Sequence, residues 1–201
     1  MCSNARLRGL HRAVKYVIAQ DIPGDVVECG AARGGSAALM GLTLKQLGAS
    51  ERTLWVFDTF EGLPPPTADD PDFEIAKLYT GTCVGSIEDV SASFERLGIY
   101  SQAKFVKGLF QDTLPNTKIR KIAVLHIDGD WYNSVKICME NLYDKVVEGG
   151  VIQIDDYGFW KGARKAVDEF FNRLSITPKL KRLDYSGRQL IKPQKGYSGK
   201  R

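Results

Sequence analysis

The chain is 201 residues long, carries a formal net charge of +4 and is 43% hydrophobic. That is the length of one domain with a substantial core, and the charge is too mild and dispersed for a nucleic-acid binder. No apolar run is long enough to span a bilayer and the N-terminus has no apolar signal region, so no membrane partner is expected.

Leu7, Leu10, Val14, Val17 and Ile18 stand at helical spacing over 5–19, and Pro23-Gly24 stops that helix. Strand and helix patterns then alternate. Residues 25–29 read as a strand, 34–47 as a helix stopped by Gly48, and 53–58 as a second strand. A long loop from Thr59 to about Gly85 follows, longer than a compact domain carries without a functional reason. Ser86 is placed to cap a helix ending near Gly98. Residues 103–107 are a third strand, 121–127 a fourth, 131–147 a helix, 151–154 a fifth strand and 161–174 a last helix. Residues 179–184 and 189–192 flank Tyr185-Ser186-Gly187-Arg188 as a closing hairpin. The alternation implies an α/β fold: a mostly parallel sheet with helices on both faces and an antiparallel hairpin at one edge. The basic tail, 193–201, reads as disordered. Cys2, Cys29, Cys83 and Cys138 form no CxxC pair, which suits reduced thiols in a cytoplasmic protein.

Sheets of this kind bind ligands beyond the carboxyl ends of their strands. After the first strand comes Glu28-Cys29-Gly30-Ala31-Ala32-Arg33-Gly34-Gly35-Ser36. The glycines permit a tight turn and close approach of backbone to a ligand, and Ser36 with the helix amides can hold an anion. No Gly-Lys-Ser/Thr follows, so this is not a P-loop, and the spacing is not G-x-G-x-x-G. It does match the acidic-x-Gly-x-x-x-Gly turn of S-adenosylmethionine (SAM) methyltransferases, a match that a ligand-free structural turn also satisfies. Asp58, ending the second strand, is placed either to accept ribose hydroxyls or to cap a loop, and it would serve NAD equally well. In Gly108-Leu109-Phe110-Gln111-Asp112, the apolar residue and amide can flank an adenine ring, with Asp112 as the N-cap of a short helix.

The fourth strand runs into Asp128 and Asp130, and the fifth into Asp155 and Asp156. In this topology the first, fourth and fifth strands are neighbours, so Asp128, Asp155 and Asp156 converge beside the glycine turn. Buried carboxylates are costly without positive charge among them, and an all-oxygen set suits Mg²⁺ above other cations. His126 reads as a core residue and His11 lies in the first helix, so neither is counted as a ligand. Asp130 reads as the N-cap of the following helix, as a general base, or as both.

At this point the chain resembles the macrocin O-methyltransferase family of SAM- and Mg²⁺-dependent sugar methyltransferases. The likeness rests on GDVVECGAARGGS, WVFDTFEGLP, KGLFQDTLP, LHIDGDWYNS, NLYDKVVEGGVIQIDDYGFW and GARKAVDEFF, in that order over about Gly24 to Lys192. A more distant likeness is to catechol O-methyltransferase. The resemblance implies a Rossmann-like, seven-stranded SAM-methyltransferase fold. It implies that Glu28, Gly30, Gly34 and Ser36 form the SAM turn, that Asp58 takes the ribose, and that Phe60 and Gln111 belong to the cofactor site. It further implies Asp128, Asp155 and Asp156 as metal ligands, with Asp130 and Asp128 catalytic. The acceptor would be a hydroxyl of a small-molecule glycoside or sugar. Family members carry more N-terminal residues over the active site; here about twenty precede the first strand. That leaves a shorter lid, one from a partner subunit in a homo-oligomer, or one absent from this sequence. The loop at 59–85 and Tyr157, Phe159 and Trp160 are candidates to close over the acceptor, the aromatics being equally readable as packing residues. A SAM-binding regulatory protein without turnover is the competing class, which the intact acid set opposes. An NAD-dependent oxidoreductase is opposed by the glycine spacing and the lack of a Tyr-x-x-x-Lys set.

Overall fold

The computed structural model describes residues 2–193; apart from Pro193, the tail expected to be disordered lies outside the described residues. The strands are β1 (Asp25–Cys29), β2 (Leu54–Asp58), β3 (Ala103–Lys107), β4 (Ile122–Ile127), β5 (Val146–Ile154), β6 (Lys181–Arg182) and β7 (Arg188–Ile191). They form one seven-stranded sheet in the order β3-β2-β1-β4-β5-β7-β6. The first five are parallel; β7 lies antiparallel to β5, and β6 antiparallel to β7. The helices are α1 (Asn4–Ala19), α2 (Gly35–Gln46), the short α3 (Phe73–Ala76), α4 (Ile87–Leu97), the short α5 (Phe110–Thr113), α6 (Tyr132–Leu142) and α7 (Lys161–Arg173). None in the described residues is long and apolar enough to cross a membrane.

Because successive strand residues face opposite sides, the central strands feed two cores. Val26, Val124 and Val151 pack with Leu10 and Val14 of α1 and Met40 and Leu44 of α2. Val27, Leu125 and Ile152 pack with Val135 and Met139 of α6 and Val167 and Phe171 of α7. Ser86 caps α4 as the sequence implies, its Oγ accepting from the Asp89 amide at 3.1 Å.

Three boundaries differ from expectation. α6 ends at Leu142, a 3₁₀ turn follows, and β5 begins at Val146 rather than at 151. The cause is a β-bulge: Ile122 pairs with Val146 but Val124 with Val151, and Gly149 takes a positive φ of 79°. The local reading took Val146 and Val147 as the end of the helix. β6 shrinks to two residues because Asp184 turns the chain early, its Oδ1 accepting from the Ser186 and Gly187 amides. Asp112 caps nothing: α5 begins at Phe110, so Asp112 sits inside it, and Leu109 at the cap position gives no side-chain bond.

Candidate active site

The order of strands places a switch point between β1 and β4, and everything of chemical interest collects there. β1 runs into Gly30, with φ +94° and no room for a side chain: a Cβ there would lie 1.8 Å from the Asp128 carbonyl oxygen. The glycine turn therefore lies directly against the backbone that carries the first aspartate, and the Asp128 amide donates to the Cys29 carbonyl at 2.8 Å.

Asp58 holds this turn in shape. Its Oδ2 accepts from the Ala31 and Ala32 amides at 2.6 and 2.9 Å, and its Oδ1 from the Phe60 amide at 2.7 Å, with the Thr59 hydroxyl 3.3 Å away. A carboxylate offers about four lone-pair sites. Three are taken by backbone amides, and the single Thr59 proton is better placed on the Gly62 carbonyl at 2.7 Å, which leaves one site for a ribose hydroxyl.

The four aspartates fall into two overlapping groups that share Asp128. His126, Asp128 and Asp155 come together, and so do Asp128, Asp130 and Asp156. Asp155 is compensated by the protein itself. Its Oδ2 accepts from Arg6 Nη1 at 2.5 Å, and its Oδ1 meets His126 Nε2 at 3.2 Å and Gln153 Nε2 at 3.4 Å. Burial pushes the Asp155 carboxyl upward, but the His126, Arg6 and Gln153 contacts outweigh it and hold the group below the usual carboxylate range. Burial alone would lower the His126 pKa; its hydrogen bonds to Asp155 and Glu28 reverse that and raise it to about 10, an imidazolium at neutral pH.

Asp128, Asp130 and Asp156 have less help: Trp160 Nε1 donates to Asp130, the Asp130 amide donates to Asp156, and the charge of Arg6 acts to lower Asp156. Among the described residues, no Lys, Arg or His side chain forms an ion pair with any of them. Burial first, then the neighbouring carboxylates, push Asp128 and Asp130 well above the ordinary aspartate value and Asp156 up to about 6.

Asp130 is not a helix cap. It sits at φ +56°, and its Oδ1 accepts from Trp160 Nε1 at 2.9 Å. The α6 cap comes from the long loop instead: Asp70 Oδ1 accepts from the Tyr132 amide at 2.7 Å, and its Oδ2 from the Thr67 amide at 3.0 Å. Trp131 Nε1 donates to the Pro64 carbonyl at 2.7 Å, so the loop is pinned to α6 at two points. Asp70→Ala should remove about 0.5–2 kcal/mol of stability, the usual range for a lost N-cap, read as a lower urea midpoint. An unchanged midpoint would mean that the loop holds without its cap.

These elements enclose a cavity of about 1200 Å³. Its wall includes Gly30, Ser36, Asp58, Gln111 and all four aspartates, joined by Pro64, Pro65, Thr67 and Asp70 of the loop. Three expected cofactor residues are not on that wall. Gly34 is the turn residue before α2, with its Cα against Val90. Phe60 is buried, its ring packed on Phe105. Glu28 is fully buried beneath the turn, with Oε1 on His126 Nδ1 at 2.7 Å. Tyr157, Phe159 and Trp160 are likewise off the wall; Trp160 packs between Trp131 and Tyr79, which is the packing role.

Cys2, Arg6 and Leu7 of the N-terminal segment line the cavity and were not anticipated. A signal for Arg6 was present. It continues the buried stripe of Leu10, Ala13, Val14 and Val17 by one helical turn, and a cation on that stripe calls for a buried acid.

The model of the macrocin O-methyltransferase (TylF) family matches residues 1–190. The chain belongs to the macrocin O-methyltransferase family. Among curated proteins it is 37% identical to an 8-demethyl-8-(2,3-dimethoxy-alpha-L-rhamnosyl)-tetracenomycin-C 4'-O-methyltransferase of Streptomyces olivaceus, covering 90% of this chain and 71% of that one. It is 36% identical, with the same coverage, to a demethyldecarbamoylnovobiocin O-methyltransferase of Streptomyces niveus. Among solved structures, the O-methyltransferase NovP superposes with a TM-score of 0.87 at 34% identity, over 94% of this chain and 80% of NovP. The expected fold, a SAM-methyltransferase sheet with a terminal antiparallel hairpin, is the observed one, and the chain is an O-methyltransferase by family.

Proposed function

We propose that this enzyme transfers the methyl group of SAM to a hydroxyl of a sugar on a natural product or glycoside, with Mg²⁺ held by Asp128, Asp155 and Asp156. The observation that carries the reading is the meeting of the glycine turn and four crowded carboxylates on the wall of one cavity. At about 1200 Å³ the cavity has room for a donor and an acceptor together. The rhamnosyl-bearing acceptor in the name of the Streptomyces olivaceus relative supports the sugar class.

The residues fit a hard divalent cation. The donor set is oxygen from carboxylates, and the crowding that lifts Asp128, Asp130 and Asp156 is relieved by one added positive charge. When bound, Mg²⁺ supplies positive charge that lowers the cost of removing a proton from the acceptor hydroxyl. Asp130 would accept that proton, with Trp160 Nε1 holding its Oδ1. The glycine turn, braced by Asp58, would hold the donor, and positioning of that kind supplies much of the rate. Four free cysteines suit a reducing compartment and support a cytoplasmic enzyme.

The test is a screen of glycosides and nucleotide sugars with radiolabelled SAM. Label should pass to a sugar hydroxyl in the presence of Mg²⁺ and fail to do so in EDTA. Full activity in EDTA would remove the metal from the reading, and labelling of non-sugar hydroxyls alone would remove the sugar.

A further inference from the structure

On the α1 face of the sheet, Val26, Val124 and Val151 give ordinary core packing. Two residues further along each strand, the same face changes character. Glu28 of β1 stands beside His126 of β4, His126 beside Gln153 of β5, and Gln153 beside Gln189 of β7, all in register. Glu28, His126 and Gln153 are each 0% exposed. Gln189 Nε2 donates to Gln153 Oε1 at 3.2 Å, and Gln153 Nε2 also reaches the Arg6 carbonyl at 3.3 Å. Glu28 Oε2 is buried without a partner.

Such a row is a weak source of stability. Apolar residues of similar volume in place of a buried ion pair are as stable or more so, and an orphaned carboxylate oxygen adds a further cost. What the row does is converge on one atom. His126 Nε2 and Gln153 Nε2 both approach Asp155 Oδ1. Asp155 lines the cavity, whereas His126 and Glu28 do not. Of the cavity wall, the side chain that His126 bonds is Asp155.

We propose that His126 is a positioning residue: clamped by Glu28 on Nδ1, it holds Oδ1 of Asp155 from beneath the sheet and so leaves Oδ2 as the atom offered to Mg²⁺. With Arg6 on one side of Oδ2, that oxygen keeps a lone pair for a cation. Groups that orient a metal-binding side chain are commonly worth 10- to 100-fold in metal affinity. The inference rests on the Mg²⁺ reading above.

The experiment is calorimetric titration of Mg²⁺ alone into the full chain, without SAM or acceptor, so that turnover plays no part. His126→Leu should weaken Mg²⁺ binding by about 10- to 100-fold. Because that change leaves Glu28 buried beside a leucine, the variant is at risk of not folding. The double variant Glu28→Leu/His126→Leu removes the orphan, keeps the core apolar, and should show the same loss with an intact far-UV circular dichroism spectrum. His126→Gln, whose amide can still donate to Asp155, should recover most of the affinity. A folded double variant that binds Mg²⁺ as tightly as the parent would overturn the proposal alone. A parent chain that binds no Mg²⁺ would overturn both this proposal and the metal reading beneath it.

Discussion

Asp156→Asn should lower methyl transfer by about a thousandfold while leaving the metal-free protein at least as stable as the parent. Loss of a metal's charge at the reacting centre is worth several kcal/mol, and about 4 kcal/mol is a factor of a thousand. The stability half follows from crowding. Burial, then the charge of Asp155, lifts the Asp156 carboxyl from an ordinary value of 3.8 to about 6. A folded value above the unfolded one means that the group favours the fold below about pH 4 and that this contribution is lost as pH rises through 6. At neutral pH its ionised form is therefore a burden that Asn does not carry, and Asn keeps an oxygen for the Asp130 amide, which approaches Oδ2 at 3.3 Å. The same sign sets a second readout. Added Mg²⁺ should raise the melting temperature of the parent more at pH 8 than at pH 5, and that of the variant little at either. A variant active at the parent rate, or a parent shift blind to pH, would count against a cation at this acid.

The βα units were legible because each strand is a short apolar run ending in a glycine or an acid, and each helix carries its own stripe and stop. The glycine turn and the neighbourhood of β1, β4 and β5 followed from topology alone. What failed were contacts between residues far apart in the chain. Asp130 and Asp112 both stand where a cap belongs, and neither caps. The cap for α6 is Asp70, 62 residues before Tyr132, which no local pattern reveals. The positive charge demanded by the aspartates was sought in a metal, yet part of it is Arg6, 149 residues from Asp155. His126 reads as core by position, and it is fully buried; its charge is visible only once Glu28 and Asp155 are seen on its two nitrogens.

Asp130→Asn separates the two roles that the geometry offers this residue. The substitution is unusually clean. Asn tolerates the positive φ of 56° better than most side chains, its Oδ1 can still accept from Trp160 Nε1, and α6 keeps its cap because Asp70 supplies it. The protein should fold normally and bind SAM as the parent does. If Asp130 takes the acceptor's proton, kcat should fall by about 10²- to 10⁴-fold with Mg²⁺ affinity unchanged, since the amide keeps shape and loses only basicity. The competing outcome is specific. Asp130 stands in one compact group with Asp128 and Asp156, while Asp155 is already engaged by Arg6 and His126. Were Asp130 the third ligand in place of Asp155, the variant would lose Mg²⁺ affinity and added metal would restore much of the rate. A titration and a rate measured on the same protein thus assign the proton and the metal in one comparison.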